Sequence, residues 1–133
     1  MQMNRVVTSF LEFGGKILIL RRSEKVETYT GRWAGISGFI EKDEKPLERA
    51  IREINEETGL KKSDFEFVKE GNPFSFPDEE LKIKWEVHPF LFRTKTIRIR
   101  IDKEHKECKW IKPEELPEYF TVPRLEESLK RVL

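Results

Sequence analysis

The chain of 133 residues contains one cysteine, two histidines and a single glutamine, Gln2. A lone cysteine, Cys108, cannot form an internal disulfide, so nothing in the sequence indicates an oxidising compartment. Every apolar run is shorter than the roughly 20 residues that a membrane-spanning helix needs. The first residues also lack the basic and then apolar layout of a secretory signal. We therefore expect a cytoplasmic protein with no membrane partner.

An excess of charge of either sign is also missing. The chain has 26 Lys and Arg against 25 Asp and Glu, a net charge of +1, although charged residues make up 38% of it. Such a balanced chain has no overall attraction for nucleic acid, and we expect no nucleic-acid partner. Abundant charge with almost no glutamine is typical of thermophilic proteins, so the composition predicts a thermophilic source.

No linker, repeat or low-complexity tract divides the chain, and its length suits one domain over residues 1–133. A hairpin through Gly14 and Gly15 is predicted to join the first two strands. Strands are expected over residues 6–13, 16–21, 33–40, 65–70, 81–94, 97–101 and 108–111, and a closing helix over residues 124–133. Strands around two helices predict a mixed α/β or α+β domain.

The clearest predicted helix begins near Pro46, which suits a first turn, and ends at Gly59, which suits a left-handed cap. An apolar stripe at helical spacing should face the core: Leu47, Ala50, Ile51, Ile54 and Thr58. On the adjacent edge, which we expect to face solvent, lie three glutamates: Glu53, Glu56 and Glu57.

These glutamates lie three and four positions apart, so their carboxylates crowd one helix edge and repel each other. Dense oxygen ligands suit Mg²⁺ or Mn²⁺. Such an ion in turn suits phosphate chemistry, where it neutralises charge on the reacting group. The alternative interpretation is an ordinary solvated acidic face.

Residues 38–60, GFIEKDEKPLERAIREINEETGL, resemble the Nudix box, the signature of the Nudix hydrolases. That pattern is a glycine, five residues, a glutamate, seven residues, and then Arg-Glu-aliphatic-any-Glu-Glu-any-Gly-aliphatic. Every specified position is filled here: Gly38, Glu44, Arg52, Glu53, Ile54, Glu56, Glu57, Gly59 and Leu60. A solvated acidic face does not explain so many residues in register, so the match is specific.

The resemblance implies an α/β/α sandwich with a mixed central sheet. It also implies metal ligation by the Gly38 carbonyl and by Glu53, Glu56 and Glu57, and an Arg52–Glu44 pair that holds the loop against the helix. One of the helix glutamates, or one from a later loop, would act as general base.

A later stretch, from His105 to Trp110, resembles the His-x-Glu-x-x-Trp found near the active site of many Nudix proteins. It makes Glu107 a further catalytic candidate, with Glu104 as its rival. His105 itself is expected on a surface loop.

Residues that bind the substrate must lie outside the box. Four basic residues can supply phosphate ligands: Arg21, Arg22, Arg32 and Lys84. Five aromatic residues can stack a base, although such residues more often belong to the core: Trp33, Phe74, Phe76, Trp85 and Trp110. Trp33 and Phe74 are preferred because each lies beside a predicted loop, and with Arg21 and Arg32 they form the expected substrate-binding set.

The family resemblance implies Mg²⁺- or Mn²⁺-dependent hydrolysis of a pyrophosphate linkage in a nucleoside diphosphate derivative. Nucleoside triphosphates, dinucleoside polyphosphates, nucleotide sugars and ADP-ribose all remain open, as do a monomer and a homodimer. An alternative is a non-catalytic nucleotide-binding Nudix module, but such a module is expected to lose box carboxylates that this chain keeps. A related isopentenyl diphosphate isomerase would need a partnered cysteine, and Cys108 has no such pattern around it.

Overall fold

The computed structural model describes all 133 residues. Eight strands and two α-helices follow the order β1 (Gln2–Phe13), β2 (Lys16–Arg22), β3 (Trp33–Ala34), β4 (Ile36–Phe39), α1 (Pro46–Thr58), β5 (Phe65–Glu70), β6 (Phe74–Asp78), β7 (Ile83–Thr94), β8 (His105–Ile111) and α2 (Leu125–Lys130). Short 3-10 helices occupy Lys62–Asp64 and Pro113–Glu118. This arrangement confirms the mixed α/β class.

Strand β1 organises the sheet. It runs parallel to β7 along nearly its whole length, pairs antiparallel with β2 near the Gly14–Gly15 turn, and pairs antiparallel with β4. The main strand order is β3-β2-β1-β7-β5, while β6 joins β7 and β8 joins β2. Because β4 and β7 flank the same strand, residues far apart in the sequence become neighbours across β1.

The core has two layers because successive side chains of a strand point to opposite faces of the sheet. On β2, Leu18 and Leu20 pack on the side of α1, whereas Ile17 and Ile19 pack on the side of α2. The α1 layer also includes Ile36, Ala50 and Ile54, and the α2 layer includes Phe10, Leu125, Leu129 and Val132. The expected α/β/α sandwich with a mixed central sheet is confirmed.

Two predictions about the strands are wrong. Residues 97–101 alternate like a strand but form none; Ile99 and Ile101 pack against the α1 layer, and the Arg100 N–H donates to the Thr58 carbonyl. Strand β6 was not predicted, and it contains Pro77, a residue that strands seldom tolerate. Proline is tolerated there because β6 pairs with β7 alone and is an edge strand.

The closing helix is shorter than predicted. It spans Leu125–Lys130. Arg124 is excluded at its start by a left-handed conformation with φ of 63°, and residues 131–133 lie beyond its end. Leu125, Leu129 and Val132 nevertheless face the core as their spacing predicts.

Candidate active site

Helix α1 carries its apolar stripe as predicted, but its acidic edge is less exposed than expected. Glu53 and Glu57 are buried and only Glu56 is exposed. Two contacts account for this burial, since Gly38 of β4 lies against Glu53 and His105 lies against Glu57. The predicted solvent-facing edge is therefore wrong for two of the three glutamates.

Gly38 leaves room for the Glu53 carboxyl group. A Cβ atom built on Gly38 would lie 2.3 Å from both Cδ and Oε2 of Glu53. No side chain fits at that distance, so glycine is required here for close approach and not for a special backbone angle. The contact places the backbone of β4 directly beside a carboxylate of α1.

A buried arginine, Arg49, holds this edge together. Its Nη1 donates to Glu53 Oε2 and its Nε donates to Glu44 Oε1, each at 2.8 Å, and the residue is only 6% exposed. Its Nη2 lies 3.2 Å from Glu41 Oε1. The Arg49 guanidinium keeps the pKa of the Glu44 carboxyl below its usual range.

The expected pair between Arg52 and Glu44 is present but looser. Arg52 is exposed, and its Nη1 lies 3.7 Å from Glu44 Oε2. Sequence reasoning missed Arg49, although it lies four residues before Glu53, a spacing at which opposite charges meet on a helix. Arg49 is therefore the closer partner of Glu44, and Arg52 adds an outer charge.

Glu57 lies behind Glu53, away from solvent. Burial raises the pKa of Glu57 well above its usual range, and the neighbouring Glu53 carboxyl raises it further through a hydrogen bond and charge repulsion. His105 is also buried, contrary to expectation: its Nε2 lies 3.6 Å from Glu57 Oε1, and its Nδ1 lies 2.7 Å from Asp102 Oδ1. Two acidic groups in buried contact form an arrangement that a cation would stabilise.

A cavity of about 500 Å³ opens beside this edge. We call one portion of its lining the acidic part, formed by α1, its preceding loop and nearby charged residues: Gly38, Glu41, Arg49, Glu53, Glu56, Glu104 and Arg22. The aromatic part consists of apolar residues from β1, β4, β6 and β7: Val6, Phe39, Phe76, Trp85 and Val87. The cavity thus joins a charged wall to an apolar wall.

Glu107 and Arg21 lie outside this cavity. They pair with each other across β2 and β8, with Arg21 Nη1 3.3 Å from Glu107 Oε1. The neighbouring residue Arg22 and the rival carboxylate Glu104 line the cavity instead. The structure therefore does not bring Glu107 or Arg21 to the box glutamates.

The other expected substrate ligands are also placed elsewhere. Arg32 lies over the rings of Tyr29 and Phe120, at 4.8 and 4.2 Å from their centroids. Trp33 is buried in the α2 layer, and Phe74 is buried in a small cluster with Phe76 and Val87. None of the three lines the cavity. Trp33 and Phe74 were chosen because each lies beside a predicted loop, but both aromatic rings point into the protein.

The donors around Gly38 suit a hard divalent cation. Glu53 and Glu56 offer carboxylate oxygens at the cavity, and the missing Cβ of Gly38 leaves room for a Glu53 carboxyl group against the backbone. As they stand, no three acidic, histidine or cysteine side chains of the chain are grouped closely enough to hold a metal ion. Arg49 still occupies one oxygen of Glu53. The donors are of the kind that such an ion prefers, but Arg49 must release Glu53 and the carboxylates must move closer together before they hold it.

Comparison with known proteins decides the family. The model of the NUDIX domain matches residues 2–132, almost the whole chain. The chain belongs to the Nudix family. This Nudix protein is 34% identical to the CTP pyrophosphohydrolase of Escherichia coli (strain K12) over 68 residues, which is 51% of the chain and 50% of that relative. The match therefore spans about half the length of the curated relative.

Solved Nudix structures share the fold. A MutT NUDIX hydrolase from Burkholderia pseudomallei superposes with a TM-score of 0.78 at 19% identity, over 100% of both chains. The MutT protein from Methanosarcina mazei Go1 gives a TM-score of 0.74 at 24% identity, over 98% of this chain and 92% of the other. These structures show the shared fold, while the match to the NUDIX domain confirms the resemblance and supports a hydrolase; Nudix hydrolases in general use divalent metal ions. No helix of this Nudix protein is long and apolar enough to cross a membrane.

Cys108 weighs against the isomerase alternative. It lies on β8, partly buried, and packs against the α1 layer. Burial raises the pKa of its thiol, which disfavours the reactive thiolate.

Proposed function

We propose that this Nudix protein is a Mg²⁺- or Mn²⁺-dependent hydrolase of a pyrophosphate linkage in a nucleoside diphosphate derivative, acting through one domain, residues 1–133. The observation that carries the proposal is the contact between Gly38 and Glu53 at a cavity that Glu56 also lines. This contact brings the glycine of β4 and the glutamates of α1 together at one wall of the cavity.

Four groups would hold the metal: the Gly38 carbonyl and the carboxylates of Glu53, Glu56 and Glu57. A bound ion would supply charge neutralisation on phosphate and a more acidic water. Arg49 must release Glu53 for this ligation, and it keeps a second partner in Glu44 when it does so. Arg49 therefore acts as a counter-ion that stabilises the acidic edge before the metal binds.

Proton transfer and phosphate binding fall to groups that face the cavity. Glu56 and Glu104 each present a carboxylate there, and either can take a proton from the attacking water. Arg22 is the cavity-lining arginine outside the box, and its guanidinium can bind phosphate oxygens. Glu107, paired with Arg21 elsewhere, is replaced by Glu104 as the loop candidate for the base.

The substrate class is a nucleoside triphosphate in the first instance. Similarity to a relative named CTP pyrophosphohydrolase supports it, but over only half of that relative. Dinucleoside polyphosphates, nucleotide sugars and ADP-ribose are therefore tested beside it. The non-catalytic nucleotide-binding module is disfavoured because this chain keeps all four glutamates that the box specifies.

The test is a panel of these four nucleotide classes with Mg²⁺ or Mn²⁺, with products identified by mass spectrometry. We expect one class to be cleaved at a phosphoanhydride. Replacing Glu56 or Glu57 by Gln should cut turnover by about 10²–10⁴-fold. Glu70→Gln on the exposed face of β5 is the matched control. Tight nucleotide binding without any product would instead favour the non-catalytic module.

A further inference from the structure

The aromatic part of the cavity is built by strand pairing around β1. Val6 of β1 pairs with Phe39 of β4 on one side and with Val87 of β7 on the other. Trp85 lies two residues before Val87, so both side chains share one face of the sheet. The rings of Phe39 and Trp85 are stacked, with centroids 6.0 Å apart and planes inclined by 28°.

Phe39 is an exposed ring where burial would be expected. It is 58% exposed although it sits on a strand beside a cavity. Its backbone is held by the ladder with β1, so the exposed ring face is presented from a rigid element. A flat, fixed and solvent-accessible aromatic face is a suitable platform for stacking a base.

The position of this platform matches the geometry of a nucleotide. Phe39 follows Gly38 directly, and consecutive Cα atoms are about 3.8 Å apart. Gly38 and Phe39 both line the cavity, and Gly38 lies against Glu53 at its acidic part. A molecule with its phosphates beside Gly38 therefore has its remaining portion beside Phe39.

The orientation of Trp85 is held by a buried carboxylate. The Trp85 Nε1–H donates to Asp78 Oδ2 at 3.0 Å, and the Tyr29 hydroxyl donates to the same oxygen. Asp78 is only 5% exposed. The polar atoms of Trp85 and Tyr29 are thus engaged within the protein. These side chains offer ring faces to a ligand and keep their hydrogen-bonding groups for Asp78.

We propose that Phe39 and Trp85 form the stacking surface for the nucleobase of the substrate, and that Asp78 is the residue that positions Trp85. The inference rests on the proposed nucleotide hydrolase function and assigns the part of the substrate that the box does not contact. Stacking uses the face that all bases share. This site therefore binds purine and pyrimidine nucleotides with similar affinity.

Calorimetric titration in Mg²⁺ tests the stacking surface without any turnover. The probes are α,β-methylene ADP and its cytosine counterpart, with methylenediphosphonate as the base-free probe. The wild-type protein should bind both nucleotides more tightly than the base-free probe. Phe39→Ala should weaken binding of both nucleotides about tenfold, within the range of one base stack, and leave methylenediphosphonate unchanged. Phe67→Ala on β5, where Phe67 is 49% exposed, is the matched control.

Asp78 is tested by the split between KM and kcat. Asp78→Ala should raise the KM for the nucleotide substrate and leave kcat nearly unchanged, whereas Asp78→Asn retains an acceptor for Trp85 and should restore the KM. A fall in kcat with an unchanged KM would overturn the positioning role. Failure of Asn to rescue a raised KM would overturn it as well.

The stacking proposal and the proposed function fail in different ways. Equal affinity of the wild-type protein for nucleotide and base-free probes would overturn the stacking surface, even if hydrolysis is observed. It would also be overturned if Phe39→Ala lost affinity equally for all three probes, or lost none. Base-dependent binding without any hydrolysis would leave the stacking surface supported and overturn the hydrolase.

Discussion

The two parts of the cavity differ in how the chain builds them. The acidic part comes mostly from one continuous segment, residues 38–56, in which helical spacing aligns the carboxylates. The aromatic part is assembled from β1, β4, β6 and β7, which are neighbours only because of the sheet order. A cluster on one helix can be recognised from spacing, whereas a wall that spans several strands depends on pairing that spacing does not reveal.

The two parts also differ in energy. Behind the acidic part Glu57 is buried against Glu53, an arrangement that costs stability and depends on Arg49 as the counter-ion of Glu53. Behind the aromatic part the buried carboxylate of Asp78 accepts hydrogen bonds from Tyr29 and Trp85. Changes at the helix carboxylates and Arg49 should therefore affect turnover and stability together, and changes in the aromatic part should affect binding alone.

The largest effect is expected from replacing Glu104, the loop carboxylate that lines the cavity. Glu104→Gln should lower kcat by about 10²–10⁴-fold if Glu104 takes the proton of the attacking water, because the amide cannot act as a base. Glu107→Gln should leave kcat within about twofold, since Glu107 lies outside the cavity and its partner Arg21 remains at the surface. Steady-state kinetics at saturating Mg²⁺ measure both. A larger loss in Glu107→Gln would reverse the assignment of the base.

The second prediction concerns the counter-ion. Arg49→Ala leaves Glu44 and Glu53 without their close partner, and the free energy of unfolding should fall by about 3 kcal/mol. Arg93→Ala is the control, because the Arg93–Glu12 pair has the same 2.8 Å distance but an exposed arginine. That change should cost less than about 1 kcal/mol.

Urea denaturation in EDTA and in Mg²⁺ shows whether Arg49→Ala loses stability through Glu53 or through Glu44 and Glu41. Magnesium should narrow the gap in unfolding free energy between Arg49→Ala and wild type, because the ion takes over neutralisation of Glu53. A gap that is the same with and without magnesium would mean that Arg49 acts only on Glu44 and Glu41.

The third prediction concerns the contact between β4 and α1. Gly38→Ala places a methyl group where Glu53 now lies, 2.3 Å from its carboxyl carbon, so the carboxylate must move. A displacement of about 1 Å can cost on the order of 10²-fold in rate, and kcat should fall by that amount. Ser37→Ala, one residue away on the same strand, should retain turnover. Equal activity of the two variants would exclude a role for the close approach.

Much of the fold was predictable because its signals are local. The apolar stripe of α1, the glycine that ends it and the alternation of β2 each depend on residues a few positions apart. The misassigned segment 97–101 shows the limit of such signals. Its alternation is real, and Ile99 and Ile101 do contact the core, but the Arg100 N–H donates to the Thr58 carbonyl at the end of α1 and not to a strand.

The site was predictable where it depends on the box, and not elsewhere. The box identifies Gly38 and the glutamates, but Arg49 occupies an unspecified position and becomes important only through its burial. From the sequence we proposed Trp33 and Phe74 as the aromatic residues that bind the ligand, but both are buried in hydrophobic clusters. Phe39 could not be singled out from the sequence, because the exposure of its ring is known only from the structure.

The smallest expected effect separates two consecutive arginines at the end of β2. Arg22 lines the cavity, whereas Arg21 bonds the Gly31 carbonyl and Glu107 outside it. Losing one charged hydrogen bond to phosphate costs about 1.5–3 kcal/mol, so Arg22→Ala should raise the KM at least about tenfold. The bound phosphates and their base remain held by the other groups, so kcat should change little.

Arg21→Ala should leave the KM within about twofold, and titration with methylenediphosphonate provides a second readout. Its affinity should fall in Arg22→Ala and stay constant in Arg21→Ala, because the base-free probe reports on phosphate contacts alone. If Arg22→Ala instead weakened only the base-containing probes, Arg22 would belong to the aromatic part of the cavity. The assignment of Arg22 to the acidic part, where we expect the phosphates to bind, would then be wrong.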